Sequence, residues 1–95
     1  MIVNKLVFCS ELEAHSRKIN SLYFSANNRF LASGSKDKTL KLWALTTGKL
    51  ILTIDHPEKI QAVTYSRDRV LVTGCNKGNI RLFKPQSKLS LSTYL

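Results

Sequence analysis

Hydrophobic and polar residues alternate along this chain in short runs that recur in a fixed order. Ile19 to Ser25 (INSLYFS) is the first run, and Ala26-Asn27-Asn28-Arg29 is a polar break after it. Phe30 to Gly34 is the second. Ser35 to Lys38 breaks again around Asp37, and Thr39 to Ala44 then sets Leu40, Leu42 and Ala44 against Thr39, Lys41 and Trp43. Thr46-Thr47-Gly48 leads into a fourth run, Lys49 to Ile54. A period of two residues predicts half-buried strands, and the polar, glycine-bearing breaks predict hairpin turns. No stretch has an apolar face at 3.6-residue spacing, and β-branched and aromatic residues gather in the runs, so no helix is expected.

The order then restarts. Ile60 to Ser66 (IQAVTYS) repeats the first run 41 residues later, and a turn at Arg67-Asp68-Arg69, one residue shorter than its counterpart, brings the offset back to 40. Leu31 to Trp43 (LASGSKDKTLKLW) then aligns without a gap on Leu71 to Phe83 (LVTGCNKGNIRLF), nine of the thirteen positions being identical or alike in type. Asn76 to Asn79 is the corresponding turn, and Lys88 to Thr93 a last strand. The fourth run has three versions, beginning at Lys5-Leu6, Lys49-Leu50 and Lys88-Leu89. The chain is therefore expected to be all-β, a leading strand within 1–14 followed by four-stranded antiparallel units at 15–55 and 56–95. Self-similarity at such a period means stacked units rather than one irregular core.

Ninety-five residues make at most one small domain, and 43% hydrophobic with 22% charged residues is globular in type. No apolar run approaches the roughly 20 residues of a membrane span, and the first ten residues are too short in apolar content for a signal peptide. Cys9 and Cys75 form no CxxC and read as buried, reduced thiols, so an intracellular location, cytoplasmic or nuclear, is expected. The net charge of +9 favours acidic partners. The lysines and arginines are spread along the chain, with no more than two adjacent, so they make no basic tail.

Units of about 40 residues with four strands resemble the blades of a WD-repeat (WD40) β-propeller. The residues that carry the resemblance are Ala14-His15 in the place of Gly-His, LASGSKDKTLKLW across Ser33 and Asp37, and Trp43-Ala44 in the place of Trp-Asp. It implies a partial propeller and, in the first blade, a hydrogen-bonded tetrad of His15, Ser33, Asp37 and Trp43. In the second blade His56 and Thr73 align, but Lys77 and Phe83 stand where Asp and Trp belong, so a closed tetrad is not expected there and the blade should be less stable, held mainly by apolar packing. It also implies partner contacts at the start of each first strand and in each turn between second and third strands. Those positions are Lys18, Asn20 and Lys36 in the first blade and Lys59, Gln61 and Asn76 in the second. Propellers close with about 4–8 blades. Two blades therefore imply first a piece of a longer protein, then copies that assemble into a ring, and otherwise a chain of marginal stability.

Catalysis finds no support in the residues. The two histidines belong to the repeat, the six carboxylates fall in loops without a paired arrangement, and no GxSxG, P-loop or HExxH motif occurs. No metal and no cofactor is expected, since His15, His56, Cys9 and Cys75 lie at no recognised ligand spacing. The reading that follows is a non-catalytic protein-interaction scaffold whose rim docks other proteins or peptides, in particular acidic or phosphorylated segments. The alternative is a basic surface that binds nucleic acid without sequence specificity. It is disfavoured because Tyr23, Phe24 and Tyr65 are placed in strands, as core or sheet faces, rather than among the lysines.

Overall fold

The computed structural model describes residues 5–66 and 69–84. Seven strands run in chain order: β1 (Ile19–Phe24), β2 (Phe30–Ser35), β3 (Thr39–Ala44), β4 (Leu50–Asp55), β5 (Ile60–Tyr65), β6 (Leu71–Cys75) and β7 (Ile80–Phe83). They form a four-stranded sheet in the order β1-β2-β3-β4 and a three-stranded sheet in the order β5-β6-β7, every pairing antiparallel. The described residues include no helix. Each sheet is a meander, as expected when consecutive strands are joined by turns of a few residues. The strand expected at Lys88 to Thr93 lies outside the described residues.

Two turns repeat in detail. Lys38 at φ 72° and Gly78 at φ 93° occupy the same place between second and third strands. Glycine is the ordinary residue for that backbone, and Lys38 is held there by the hydrogen bonds of the Asp37 turn described below.

Among the described residues the leading strand is not formed. Residues 5–14 pair with no strand, and Leu6, Val7 and Phe8 are exposed. In the repeat scheme Lys5-Leu6-Val7-Phe8 is the outer strand of a blade preceding the first. The described residues contain no such blade, and an extended segment without a ladder partner gains nothing to offset its ordering. Farther along, the segment does touch the first sheet: Leu12 lies against Gly48, and His15 enters the sheet's polar centre.

The core lies between the two sheets. Ala32, Leu40 and Leu42 from the first meet Ile60, Val63, Tyr65 and Leu71 from the second, flanked by Phe30, Ile51, Leu52, Ile54 and Phe83. Register explains the set. Gly34 pairs with Leu40 and Ala32 with Leu42, so one face of β2–β3 points at the second sheet. Val63 pairs with Thr73 and Tyr65 with Leu71, so the facing side of β5–β6 points back. Gly34 is a point of close approach. A Cβ added there would lie 2.6 Å from both Ile60 Cγ2 and Val63 Cγ2, so these two branched side chains use the space that a side chain would fill. Two hydrogen bonds stitch the sheets at the same place: Asn20 Nδ2 donates to the Ile60 carbonyl at 2.8 Å, and the Val63 N–H donates to Ser21 Oγ at 3.0 Å.

Gly34→Ala is expected to destabilise the fold by about 1–3 kcal/mol, because Ile60 and Val63 must leave their rotamers or the sheets must part. Gly78→Ala meets no atom within 4 Å, and should cost about 1 kcal/mol from its backbone alone. Urea unfolding followed by the single tryptophan, Trp43, measures both; a larger loss for Gly78→Ala than for Gly34→Ala would contradict the packing account.

Candidate functional site

A polar relay crosses the buried centre of the first sheet. Trp43 on β3 and Ser33 on β2 lie on one face, opposite to that of Ala32 and Leu42, because neighbouring residues of a strand alternate. The Trp43 indole Nε1–H donates to Ser33 Oγ at 2.9 Å. An indole only donates, so the Ser33 hydroxyl proton is free to go to His15 Nε2, 2.7 Å away. His15 then carries its proton on Nδ1, which donates to Asp37 Oδ2 at 3.0 Å. The structure thus brings His15, Ser33, Asp37 and Trp43 into one chain of hydrogen bonds. Among the described residues no buried side-chain nitrogen or oxygen lacks a partner.

Sequence reasoning missed how firmly Asp37 is held. Its Oδ1 accepts from the Thr39 N–H at 2.9 Å and from Thr39 Oγ1 at 2.6 Å, and its Oδ2 also accepts from the Ser16 N–H at 3.2 Å. Burial pushes the Asp37 carboxyl up, but hydrogen bonds from Thr39 and His15 outweigh it and hold the pKa at about 2. The signal was present as Asp-x-Thr, a pattern in which a side-chain carboxylate caps the backbone two residues on. Ser35 acts beside it, with Oγ donating to the Lys18 carbonyl at 2.9 Å and accepting from the Asp37 N–H at 3.0 Å.

Ser33, His15 and Asp37 are connected as in a hydrolytic triad, but the geometry does not suit attack. Ser33 is 1% exposed and its oxygen already accepts from the indole, so no carbonyl carbon can approach it.

The second sheet is tied differently. His56 Nε2 is 2.9 Å from Thr73 Oγ1, and His56 Nδ1 is 3.2 Å from the Ile54 carbonyl, to which it donates. The Phe83 ring packs at 5.5 Å and a 56° tilt from the imidazole, offering no donor. Where Asp37 would stand is Lys77, whose N–H donates to Glu58 Oε2 at 2.9 Å, while Asn79 Nδ2 donates to Glu58 Oε1 at 2.9 Å. Apolar packing is therefore not the second sheet's only tie. In the first blade the carboxylate sits on the turn and reaches the preceding loop, whereas in the second it sits on the loop and reaches the turn. This second clamp is exposed, so its worth is small. Burial lowers the His56 pKa, and the Arg81 charge adds to the effect.

The remaining contact positions collect at one edge of the two sheets. The Lys36 N–H donates to the Lys18 carbonyl at 2.9 Å and the Asn76 N–H to the Lys59 carbonyl at 2.9 Å, so each turn lies beside the start of its first strand. Gln61 Nε2 donates to Asn76 Oδ1 at 2.6 Å on the surface. Asn20 is engaged with Ile60 between the sheets, so its amide hydrogen points into the molecule and not at a partner. Between the two turns lies a cleft of about 250 Å³ lined by Lys38, Pro57, Glu58, Lys59, Asn76 and Lys77. Tyr23 and Phe24 are exposed, where core positions were one expectation, while Tyr65 is buried; of the two cysteines expected to be buried, Cys75 is and Cys9 is exposed. Among the described residues no group of three or more His, Cys, Asp or Glu side chains is placed to hold a metal ion, and no helix is long and apolar enough to cross a membrane.

These ties make two testable differences. Trp43→Phe keeps the ring but removes the indole donor to buried Ser33, and should cost about 1–2 kcal/mol in urea unfolding. An unchanged midpoint would remove the relay from the stability account. The sheets should also respond differently to acid. Folding lowers the His56 pKa below 6.5, so its contribution is complete above pH 6.5 and falls below it, where the unfolded chain takes up the proton more readily than the folded one. Asp37 contributes fully above its ordinary pKa of 3.8 and loses its contribution as pH falls towards 2. Native-state hydrogen exchange, corrected for intrinsic rates, should show β6 and β7 opening before β2 and β3, with the gap widening from pH 7 to pH 5. The reverse order would overturn the assignment.

Comparisons with known proteins agree with this architecture. Residues 6–44 match the family described as WD domain, G-beta repeat. The chain is 30% identical over 80 residues to the small ribosomal subunit protein RACK1y of Oryza sativa subsp. japonica, covering 84% of this chain and 24% of that protein. It is 37% identical over 78 residues to the nuclear distribution protein nudF of Aspergillus flavus, covering 78% of this chain and 17% of that protein. The chain thus spans a quarter or less of these curated relatives. Among solved structures, the computationally designed Ika4 protein superposes with a TM-score of 0.69 at 28% identity, over 78% of this chain and 45% of that one. With its 40-residue period, two meander sheets and a Trp–Ser–His–Asp relay, the chain belongs to the WD-repeat family.

Proposed function

We propose that this chain is a non-catalytic protein-interaction scaffold whose lysine-rich edge docks an acidic or phosphorylated segment of a partner protein. One observation carries the reading: the cleft between the β2–β3 and β6–β7 turns is bordered by Lys38, Lys59 and Lys77. Lys18 and Lys36 stand at the same edge, brought together by the backbone bond between them. Of the carboxylates there, Asp37 and Glu58 are already taken by hydrogen bonds to the chain itself. Their charge offsets part of the lysine field, but both already accept hydrogen bonds from the chain itself, while the ammonium groups keep their donors for a ligand. Gln61 and Asn76 add neutral donors and acceptors for a peptide backbone.

The relay of Trp43, Ser33, His15 and Asp37 has a structural part in this reading, fixing the turn that presents Lys36 and Lys38. Further blades, from a longer polypeptide or from other copies, would extend the same edge. An intracellular setting, cytoplasmic or nuclear, belongs to the same proposal.

The test is fluorescence anisotropy with a labelled ten-residue peptide of glutamate and phosphoserine. The double variant Lys59→Glu, Lys77→Glu should weaken binding at least tenfold, whereas Arg29→Glu, in the turn at the other end of β1 and β2, should leave it unchanged. Equal affinity in the double variant would refute the site. A single-stranded oligonucleotide that binds more tightly than the peptide, with affinity falling steeply from 50 to 300 mM salt, would favour the nucleic-acid reading instead.

A further inference from the structure

The interface inside the molecule has two sides, and the repeat places a second version of each side on the molecule's outer flanks. On the second sheet, Ile60, Val63, Tyr65 and Leu71 are buried against the first. Their counterparts on the first sheet are Ile19, Leu22, Phe24 and Leu31, all apolar, with Leu22 and Phe24 each 55% exposed. On the first sheet, Leu40 and Leu42 are 0% and 1% exposed because the second sheet covers them. Their counterparts Ile80 and Leu82 are 69% and 61% exposed. Register puts Ile80 opposite Gly74 and Leu82 opposite Val72, so these residues share the outward face of the second sheet, as Leu40 and Leu42 share a face with Gly34 and Ala32.

The glycines make the correspondence specific. Gly34 leaves the gap that Ile60 and Val63 fill, with their methyl carbons 2.6 Å from where a Cβ would be. Gly74 leaves the same gap on the free flank, where the only atom near a Cβ would be Ala62 of its own sheet at 3.9 Å. Nothing in the described chain enters it. The residues placed by the repeat to do so, Ile19 and Leu22, stand on the opposite flank of the molecule.

We propose that a second copy of this chain occupies these flanks, its Ile19, Leu22, Phe24 and Leu31 packing onto Gly74, Val72, Ile80 and Leu82 of the first. The contact continues the interface already present between the two sheets. It is heterologous, joining two different faces, so it repeats from copy to copy and ends only when the ring closes. At two sheets per copy, closure at about 4–8 blades takes two to four copies. The flanks are distinct from the lysine-rich edge, so this inference stands or falls independently of the peptide-docking proposal.

Two variants of the 95-residue chain test it by sedimentation velocity: one blocked on the first flank (Leu22→Asp, Phe24→Asp), the other on the last (Ile80→Asp, Leu82→Asp). The unaltered chain should sediment as a discrete species of two to four times 10.7 kDa. Each variant alone should be a monomer, and an equimolar mixture should give a single heterodimer through the two intact flanks. Trp43 fluorescence confirms that each variant is folded, the altered residues being exposed. A folded unaltered chain that stays monomeric at all concentrations overturns the proposal. A variant that self-associates, or a mixture that stays monomeric, also overturns it.

Discussion

The structure depends on one contact, the meeting of two small sheets across Gly34. A twisted four-stranded sheet of about six-residue strands has two faces, and its own hydrogen bonds cover neither. Each sheet here is apolar on both sides, so its stability comes from what lies against it. Ile60 and Val63 entering the Gly34 gap bring the sheets close enough for Leu40, Leu42 and Leu71 to be fully enclosed. Asn20 and Ser21 answer the backbone groups of Ile60 and Val63 at the same place. Burial and polar satisfaction therefore reinforce each other at the one place where a side chain on Gly34 would defeat both.

The polar ties serve a different end. They join each sheet to the loop before it and fix the turns that form the lysine-bearing edge. In the first blade the tie is buried and ends on a carboxylate with four donors around it, and hence a low pKa. In the second it is split into a buried His56–Thr73 bond and an exposed Glu58 clamp. Replacement of the turn's acid by Lys77 loses the relay and adds a cation to the cleft. The missing carboxylate and the added positive charge come from the same residue.

Much of this was legible in the residues, for a physical reason. Strand pattern and turn chemistry are local, and duplication at a 40-residue offset shows them twice, so sheet order, turn positions and the first blade's His15–Ser33–Asp37–Trp43 relay could be read. Contacts between units leave no comparable trace. Asn20 had the look of a rim residue because its position along the repeat is known while the direction of its side chain is not. Glu58 escaped notice because the repeat aligns it with Arg17, and nothing in an alignment says that a carboxylate can serve from the other side of a gap. The strand expected near Lys5 shows the converse error. Its pattern is sound, but a strand exists only with a partner, and pattern alone does not supply one. The Tyr23 and Phe24 side chains follow the same logic: their alternation is that of a covered sheet, and among the described residues nothing buries either of them.

The most direct test of the central contact is a methyl-resolved nuclear Overhauser experiment on the chain in solution. The account predicts strong cross-peaks from the Gly34 α-protons to methyl groups of both Ile60 and Val63, together with a slowly exchanging Val63 amide. Absence of both cross-peaks in a sample whose strands are otherwise formed would contradict it, because the sheets would then be folded without being packed as described.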